Sequence, residues 1–287
     1  GKTLLTIPSD ARSDIWSMPL DGSARPVKLS RSRLDGVFGL AFTPDGRIVY
    51  QTLEAGRLDL AVMSADGSER QRLTDDEEGN RYLSVAPDGR IVVRTATADG
   101  FKIQRLAADG THEADLADGL QWAKPMVSPD GKWVVYRAMT EGVSNIWRVP
   151  LEGGTPERVI ALESFLPVVS PDGSRIAFYF ISPEDDNFRI GVADFESGEL
   201  ELEMRADAFY AGTMLRWTPD GESLLTNTRA KDRANLYRLS LDGGEPERLT
   251  DFDDRRMYWY ELSPDGETLI YTRGELSRDA VLIENFL

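Results

Sequence analysis

The chain has 287 residues, 41% of them hydrophobic, and carries 49 acidic against 33 basic side chains for a formal net charge of −16. Nucleic-acid binding depends on Lys and Arg neutralising phosphates, so this charge argues against direct DNA or RNA contact and against anionic membrane surfaces. There is no cysteine and a single histidine, which removes disulfides, thiolate metal sites, a Cys nucleophile and histidine-rich metal centres.

The longest apolar runs reach about six residues, such as Trp133–Tyr136 and Ile176–Phe180, far short of the ~20 that span a bilayer, so no membrane insertion is expected. The chain opens at Gly1 rather than Met and shows no signal-peptide pattern; it is expected to be part of a longer protein. From the amino end, Thr3–Thr6, Asp14–Met18 and Val27–Ser30 read as short strands. A signature then begins at Thr43-Pro44-Asp45-Gly46. It returns as Ala86-Pro87-Asp88-Gly89, Ser128-Pro129-Asp130-Gly131, Ser170-Pro171-Asp172-Gly173, Thr218-Pro219-Asp220-Gly221 and Ser263-Pro264-Asp265-Gly266, with Pro-to-Pro spacings of 43, 42, 42, 48 and 45. The signature is a tight turn: the hydroxyl bonds to turn backbone, Pro presets φ, and Gly accepts a left-handed conformation.

A short apolar strand (a) precedes each turn, as in Gly39–Phe42, and a β-rich strand (b) follows, as in Ile48–Tyr50. After a polar loop comes strand c, for example Asp59–Val62 or Asn145–Trp147. A second turn, such as Asp66-Gly67 or Gly243-Gly244, leads to a short strand d, such as Glu247–Thr250. Four short antiparallel strands per repeat without helical periodicity predict an all-β propeller over residues 1–287 as one domain. Strands b and c each occur seven times, a and d six times, 26 in all. Seven blades, two of them incomplete, absorb every strand; six blades, the alternative, leave one b and one c over. The amino end offers b, c and d, and the carboxyl end a, b and c. Because these sets overlap, they are expected to form two neighbouring three-stranded blades. The seam between them should rest on side-chain packing, with exposed strand edges that open first.

The repeat resembles the TolB-like propeller family, whose mark is an aromatic or Val residue before Ser/Thr-Pro-Asp-Gly; Trp217-Thr218-Pro219-Asp220-Gly221 is the cleanest copy. Residues 145–154 and 277–286 look like the carboxy-terminal propellers of large bacterial regulators, where such repeats follow a serine/threonine kinase domain or a winged-helix DNA-binding domain. The resemblance implies a sensory or protein-interaction module. No kinase motif or winged helix occurs in these residues, so neither activity is assigned. The compartment stays open, and the extracytoplasmic part of a membrane-tethered regulator is one setting the resemblance suggests.

No catalytic constellation is legible. His112 sits in a polar c–d turn and reads as a solvated surface residue. The acidic runs Asp75–Glu78, Glu184–Asp186 and Asp251, Asp253, Asp254 lack the alternating spacing of a calcium loop. They read as solvated charge, with an oxygen-ligated cation as the alternative. No cofactor or metal site is expected. Aromatic residues recur five to nine positions before the signature Pro: Phe38, Tyr82, Trp122, Phe165, Tyr210 and Tyr258. Strand a lines the central channel, so these rings either pack between blades or circle the channel mouth. Arg33, Arg81, Lys124, Arg216, Arg255 and Arg256 lie close by in sequence; they read first as ordinary scattered charge, and as a cluster they could receive a carboxylate or a partner's acidic tail. The expected function is a non-catalytic module binding a protein, peptide or small ligand at the mouth, on the face of the longer b–c and d–a loops. The alternative is a hydrolase or lyase using carboxylates in the channel.

Overall fold

A computed structural model describes residues 3–6, 9–30, 32, 34–54, 56–75, 79–120, 123–206, 214–228, 234–253, 255–278 and 281–284. Its strands begin with β1 (Thr3–Thr6), β2 (Ser9–Pro19) and β3 (Val27–Lys28). Blade one then comprises β4 (Leu40–Phe42), β5 (Ile48–Glu54), β6 (Arg57–Met63) and β7 (Gln71–Arg72). Blade two comprises β8 (Asn80–Val85), β9 (Ile91–Thr97), β10 (Gly100–Leu106) and β11 (His112–Leu120). Blade three is β12 (Met126–Val127), β13 (Trp133–Thr140), β14 (Val143–Pro150) and β15 (Glu157–Ile160). Blade four is β16 (Ser164–Val169), β17 (Arg175–Ile181), β18 (Phe188–Asp194) and β19 (Leu200–Arg205). Blade five is β20 (Arg216–Trp217), β21 (Ser223–Asn227), β22 (Leu236–Ser240) and β23 (Glu247–Arg248). The last strands are β24 (Arg256–Leu262), β25 (Thr268–Arg278) and β26 (Val281–Glu284).

The propeller has six blades, not the favoured seven, and the termini do not form two partial blades. Strands β24 and β25 from the carboxyl end and β2 and β3 from the amino end make one four-stranded sheet, in the order β24-β25-β2-β3. The two strands that six blades leave over, β1 and β26, pair with each other. They continue the register of the closing pair: Thr3 opposes Glu284, Ser9 opposes Arg278 and Pro19 opposes Thr268. What reads as a surplus b and a surplus c is therefore the outer part of one long antiparallel ribbon. Strand β24 follows β25 only as far as the Arg256–Gly274 pair, so beyond that point the ribbon is two-stranded. The seam is a backbone ladder of eleven residue pairs, from Ser9–Arg278 to Pro19–Thr268. It leaves no gap between adjacent three-stranded blades.

The signature turns behave as their chemistry dictates. In all six, the Gly amide donates to the carbonyl three residues earlier at 2.8–2.9 Å, as Gly46 does to Thr43. Those glycines have φ between 70° and 90°, a region costly for residues with a Cβ. The first-position hydroxyl donates to the turn carboxylate, as Ser128 does to Asp130 (2.6 Å) and Ser170 to Asp172 (2.5 Å). Behind the turns, the b strands are buried on both faces. Ile91, Val92 and Val93 are each 0% exposed, because neighbouring blades sandwich them.

Arginines and ring hydroxyls or indoles tie blade to blade. Arg148 donates to the Phe195 carbonyl (3.0 Å) and pairs with Glu196 across blades three and four. Arg175 donates to the Gly221 carbonyl (2.9 Å) across four and five, and Arg216 pairs with Glu261 (2.8 Å) across five and six. The Trp217 indole donates to the Val168 carbonyl (3.0 Å) and the Trp259 indole to the Leu40 carbonyl (2.9 Å). The latter joins blade six to blade one. The largest apolar cluster, including Ile15, Leu40, Tyr50, Leu236, Trp259 and Tyr271, fills the joints on both sides of the closing blade.

Two outcomes are expected from this architecture. A Cβ placed on Gly274 would lie 1.7 Å from the Arg12 carbonyl oxygen on the closing strand. Gly274→Ala should therefore cost about 1–3 kcal/mol in chemical denaturation, the usual range for overpacking, and accelerate amide exchange at Ile15–Ser17. In the wild type those amides should be as protected as the inner strands of blade two; early opening at this seam would contradict the ladder. Second, the Ser170 hydroxyl, then the Ser174 amide and hydroxyl, hold Asp172 down at about 2 against an ordinary value of 3.8. A depressed carboxylate contributes stability that is present above pH 3.8 and lost as pH falls through its folded value. The destabilisation caused by Ser170→Ala should be greatest at neutral pH and shrink between about pH 4 and pH 2.

Candidate functional site

Each a strand starts at the face of the b–c and d–a loops and ends at its signature turn. On the loop face, blades two, three and four enclose a cavity of about 390 Å³. Blade two supplies Tyr82 and Arg94. Blade three supplies Lys124, just before β12, and Arg137. Blade four supplies Phe165, Leu166, Ile181 and Phe188, with Glu163. Inner strands are bent here. Tyr82 (φ 54°) sits at a register shift in β8 and Leu166 (φ 58°) at one in β16. A left-handed backbone is costly for side chains of this size and concentrates at functional sites.

The rings form two arms. In one, Phe38, Tyr82 and Trp259 follow one another at centroid distances of 5.9 Å, joining blades one, two and six. In the other, Phe165 meets Phe188 edge-on at 5.8 Å and stacks on Tyr179 at 6.4 Å. Between the arms lie cations. Lys124 Nζ is 5.0 Å from the Tyr82 ring and 5.9 Å from that of Trp259. The Arg94 guanidinium lies 4.3 Å from Tyr82 and 4.0 Å from Phe101, and Arg137 lies 5.8 Å from Phe165. Burial, then the charges of Arg216, Arg94 and Arg137, push the Lys124 ammonium down to about 8. Its side chain keeps partial solvent contact through the cavity it lines. Burial also pushes Arg94 down to about 10, which leaves it cationic at neutral pH.

The expected mouth residues thus separate into groups. Tyr82, Phe165 and Lys124 meet in the cavity. Phe38 lies behind Tyr82, and Arg81 stacks on Phe38 at 4.9 Å. Arg216 lies deeper, bound to the half-buried Glu261 (2.8 Å), whose carboxyl is raised by desolvation against the opposing charge of Arg216. Arg255 stands by the closing ribbon, 3.3 Å from Glu275. At the β24 register shift Trp259 turns inward while Tyr258 stays half-buried outside the cavity. Trp122, Tyr210 and Arg33 lie outside the described residues. Arg94, Arg137 and Phe188 were not anticipated. The signal for the first two was present: a lone Arg interrupts an apolar b strand in Ile91-Val92-Val93-Arg94 and in Val134-Val135-Tyr136-Arg137.

Below the mouth, Met126, Leu166 and Leu215 line a small space beside Lys124, and a second cavity of about 430 Å³ lies on the turn face. Its walls are largely apolar, with Phe42, Val127, Val169 and Leu262; among its described lining residues the carboxylate is Glu261. Elsewhere, His112 is half-exposed and lies 2.9 Å from Asp115 in an open groove between blades one and two. Asp75, Asp185 and Asp251 of the acidic runs pair with Arg57 and Arg72, with Arg189, and with Arg248. Among the described residues no group of three or more His, Asp or Glu side chains is placed to hold a metal.

No family model matches the sequence. Solved structures share the fold, two TolB-named ones among them. A TolB candidate from Agrobacterium tumefaciens superposes with a TM-score of 0.74 at 18% identity, over 93% of this chain and 99% of that one. TolB from Acinetobacter baumannii gives 0.67 at 18% identity, over 93% of this chain and 65% of its own. The fold is therefore a TolB-type propeller; likeness to kinase-linked or winged-helix-linked propellers is not part of this result. Among curated proteins, an uncharacterised protein of Agrobacterium fabrum is 33% identical over 109 residues, 34% of this chain and 36% of that protein. Dipeptidyl-peptidase 5 of Aspergillus fumigatus is 25% identical over 170 residues, 50% of this chain and 23% of its own length. The chain thus spans about a third or less of the length of these relatives.

The cluster makes Lys124 a stability liability. A lysine whose folded value is depressed carries its full cost below that value, and the cost is relieved as pH rises toward the unfolded value. For Lys124 the window runs from about 8 to 10.5. Lys124→Met should raise the melting temperature at pH 7, with the gain shrinking between about pH 8 and 10.5. An unchanged or lower melting temperature at pH 7 would show that the ammonium is well solvated.

Proposed function

We propose that this propeller is a non-catalytic binding or sensing module whose contact surface is the cavity between blades two, three and four. The observation that carries the reading is the cavity itself: a concave, ring-walled space with a few converging polar groups, framed by two residues held in left-handed backbone. A largely apolar pocket with sparse polar groups is the usual form of a ligand site, and strained backbone persists where the surrounding structure enforces it. Its place on the loop side supports the same reading, since that face carries the variable connections of the repeat. The net charge of −16 favours a protein, peptide or small-molecule partner over nucleic acid. Relatives named as peptidases align through only part of their length, and a module of this kind is compatible with a place beside other domains.

Screening the wild-type chain by thermal shift against small molecules and short peptides tests the assignment. Ligands that stabilise it should bind Phe165→Ala or Phe188→Ala at least about tenfold more weakly, roughly 1.4 kcal/mol. They should bind His112→Ala, in the outer groove, with unchanged affinity. Ligands indifferent to both phenylalanine variants would move the contact surface away from the mouth.

A further inference from the structure

The cavity contains a charge arrangement that folding does not require. Elsewhere this chain matches its buried charges with partners: Asp59 with Arg72 (2.6 Å), Arg148 with Glu157 and Glu196, and Arg216 with Glu261. Pairing is what a low-dielectric site demands, because an isolated buried charge is costly. At the mouth the rule is suspended. Among the described residues Lys124 forms no ion pair, although Glu163 lines the same cavity, and its ammonium lies over the Tyr82 and Trp259 rings. Arg94 is 4% exposed, lies between two rings, and its Nε has no hydrogen-bond partner. Arg137, anchored by Ser144, adds a third positive charge. With 49 acidic side chains in the chain, a shortage of carboxylates does not explain the omission.

We propose that the cavity is built to receive an oxyanion, a carboxylate or a phosphate monoester carried on an apolar or aromatic body, with Lys124 and Arg94 as its charge partners. The inference rests on the mouth being the contact surface and names what that surface recognises. The cations lie against blades two and three, and Phe165 and Phe188 stand opposite on blade four, so a ligand with a charged head and a flat body meets both. The overall acidity of the chain repels polyanions at a distance, which restricts the site to a single anionic group presented on an apolar carrier. Bound oxyanion replaces the missing counter-charge, so binding strengthens with protonation of Lys124. The groups facing that ammonium are Arg94 on β9, Arg137 on β13, Arg216 on β20, the Tyr82 and Trp259 rings on β8 and β24, and Glu163 at the entrance to β16.

The test is calorimetric titration of the purified chain with benzoate and with phenyl phosphate, each against an uncharged isostere, benzamide and benzyl alcohol. A short peptide ending in phenylalanine, with a free or an amidated carboxyl terminus, forms the third pair. At least one anion of the three pairs should bind tenfold or more tightly than its neutral counterpart. Which pair does so separates a free carboxylic acid, a phosphate ester and a chain terminus as the source. Lys124→Met should lose at least tenfold, Lys124→Arg should retain binding, and wild-type affinity should fall between pH 7 and pH 9 while that of Lys124→Arg stays flat. Equal binding of charged and neutral members, or full affinity in Lys124→Met, overturns the proposal. Should neutral ligands still depend on Phe165, the mouth remains the contact surface and only its preference for an oxyanion falls. Should Phe165→Ala be silent as well, both readings fall.

Discussion

The closed ring depends on the hydrogen-bonded ladder between β2 and β25. A propeller blade buries its faces only against its neighbours, so an open ring would leave two blade faces bare. Here the chain solves that problem with backbone hydrogen bonds rather than side-chain packing. The amino end supplies the two outer strands of a blade whose two inner strands come from the carboxyl end. Eleven paired residues make the joint as continuous as any within a blade. The ladder also abolishes the exposed edges that a gap between blades would present. The indole bond from Trp259 to Leu40 and the apolar cluster around Ile15 and Tyr271 then seat the closed blade against blade one.

A closed ring fixes the channel, and the channel fixes the mouth. Six inner strands converge on one axis, and the joints between them are held by hydrogen bonds from Arg148, Arg175, Trp217 and Tyr260 to main-chain carbonyls of adjacent blades. With the Val127 amide donating to the Ser84 hydroxyl (3.0 Å) between blades two and three, such joints hold Tyr82, Lys124 and Phe165 in place although they come from three different blades. The same rigidity explains how an ammonium with no ion pair among the described residues survives near guanidinium groups. A softer scaffold would let Lys124 swing into solvent, where the charge costs nothing. Stability is given up locally and supplied by the remainder of the ring, the usual relation between a strained site and its scaffold.

Much of the fold was legible because its determinants are local. A Ser/Thr-Pro-Asp-Gly turn needs only its own four residues, so the signature located all six a–b connections. The tally of 26 strands was also correct. The blade number was not, because β1 and β26 carry the composition of ordinary b and c strands while their partners are 275 residues or more away. Nothing local distinguishes a strand that starts a blade from one that prolongs a ribbon. The aromatic series shows the same limit. Phe38, Tyr82 and Phe165 fall at or beside the mouth, but a one-residue register shift in β24 turns Trp259 inward in place of Tyr258. Strand periodicity cannot foresee a bulge.

The sequence by itself determined the repeat, the turn chemistry, the four-stranded blade and the acidic surface, since each follows from the conformational preferences of neighbouring residues or from composition. Tertiary structure alone decided how the ring closes, which of the mouth-side residues face one another, and that among the described residues Arg216 acquires an acid partner while Lys124 does not. These are long-range outcomes. Whether a cation is paired depends on which side chain a distant blade places within about 4 Å, the distance over which Coulombic attraction can offset desolvation. That choice is made by the closure of the ring and leaves no local mark on the residues around Lys124.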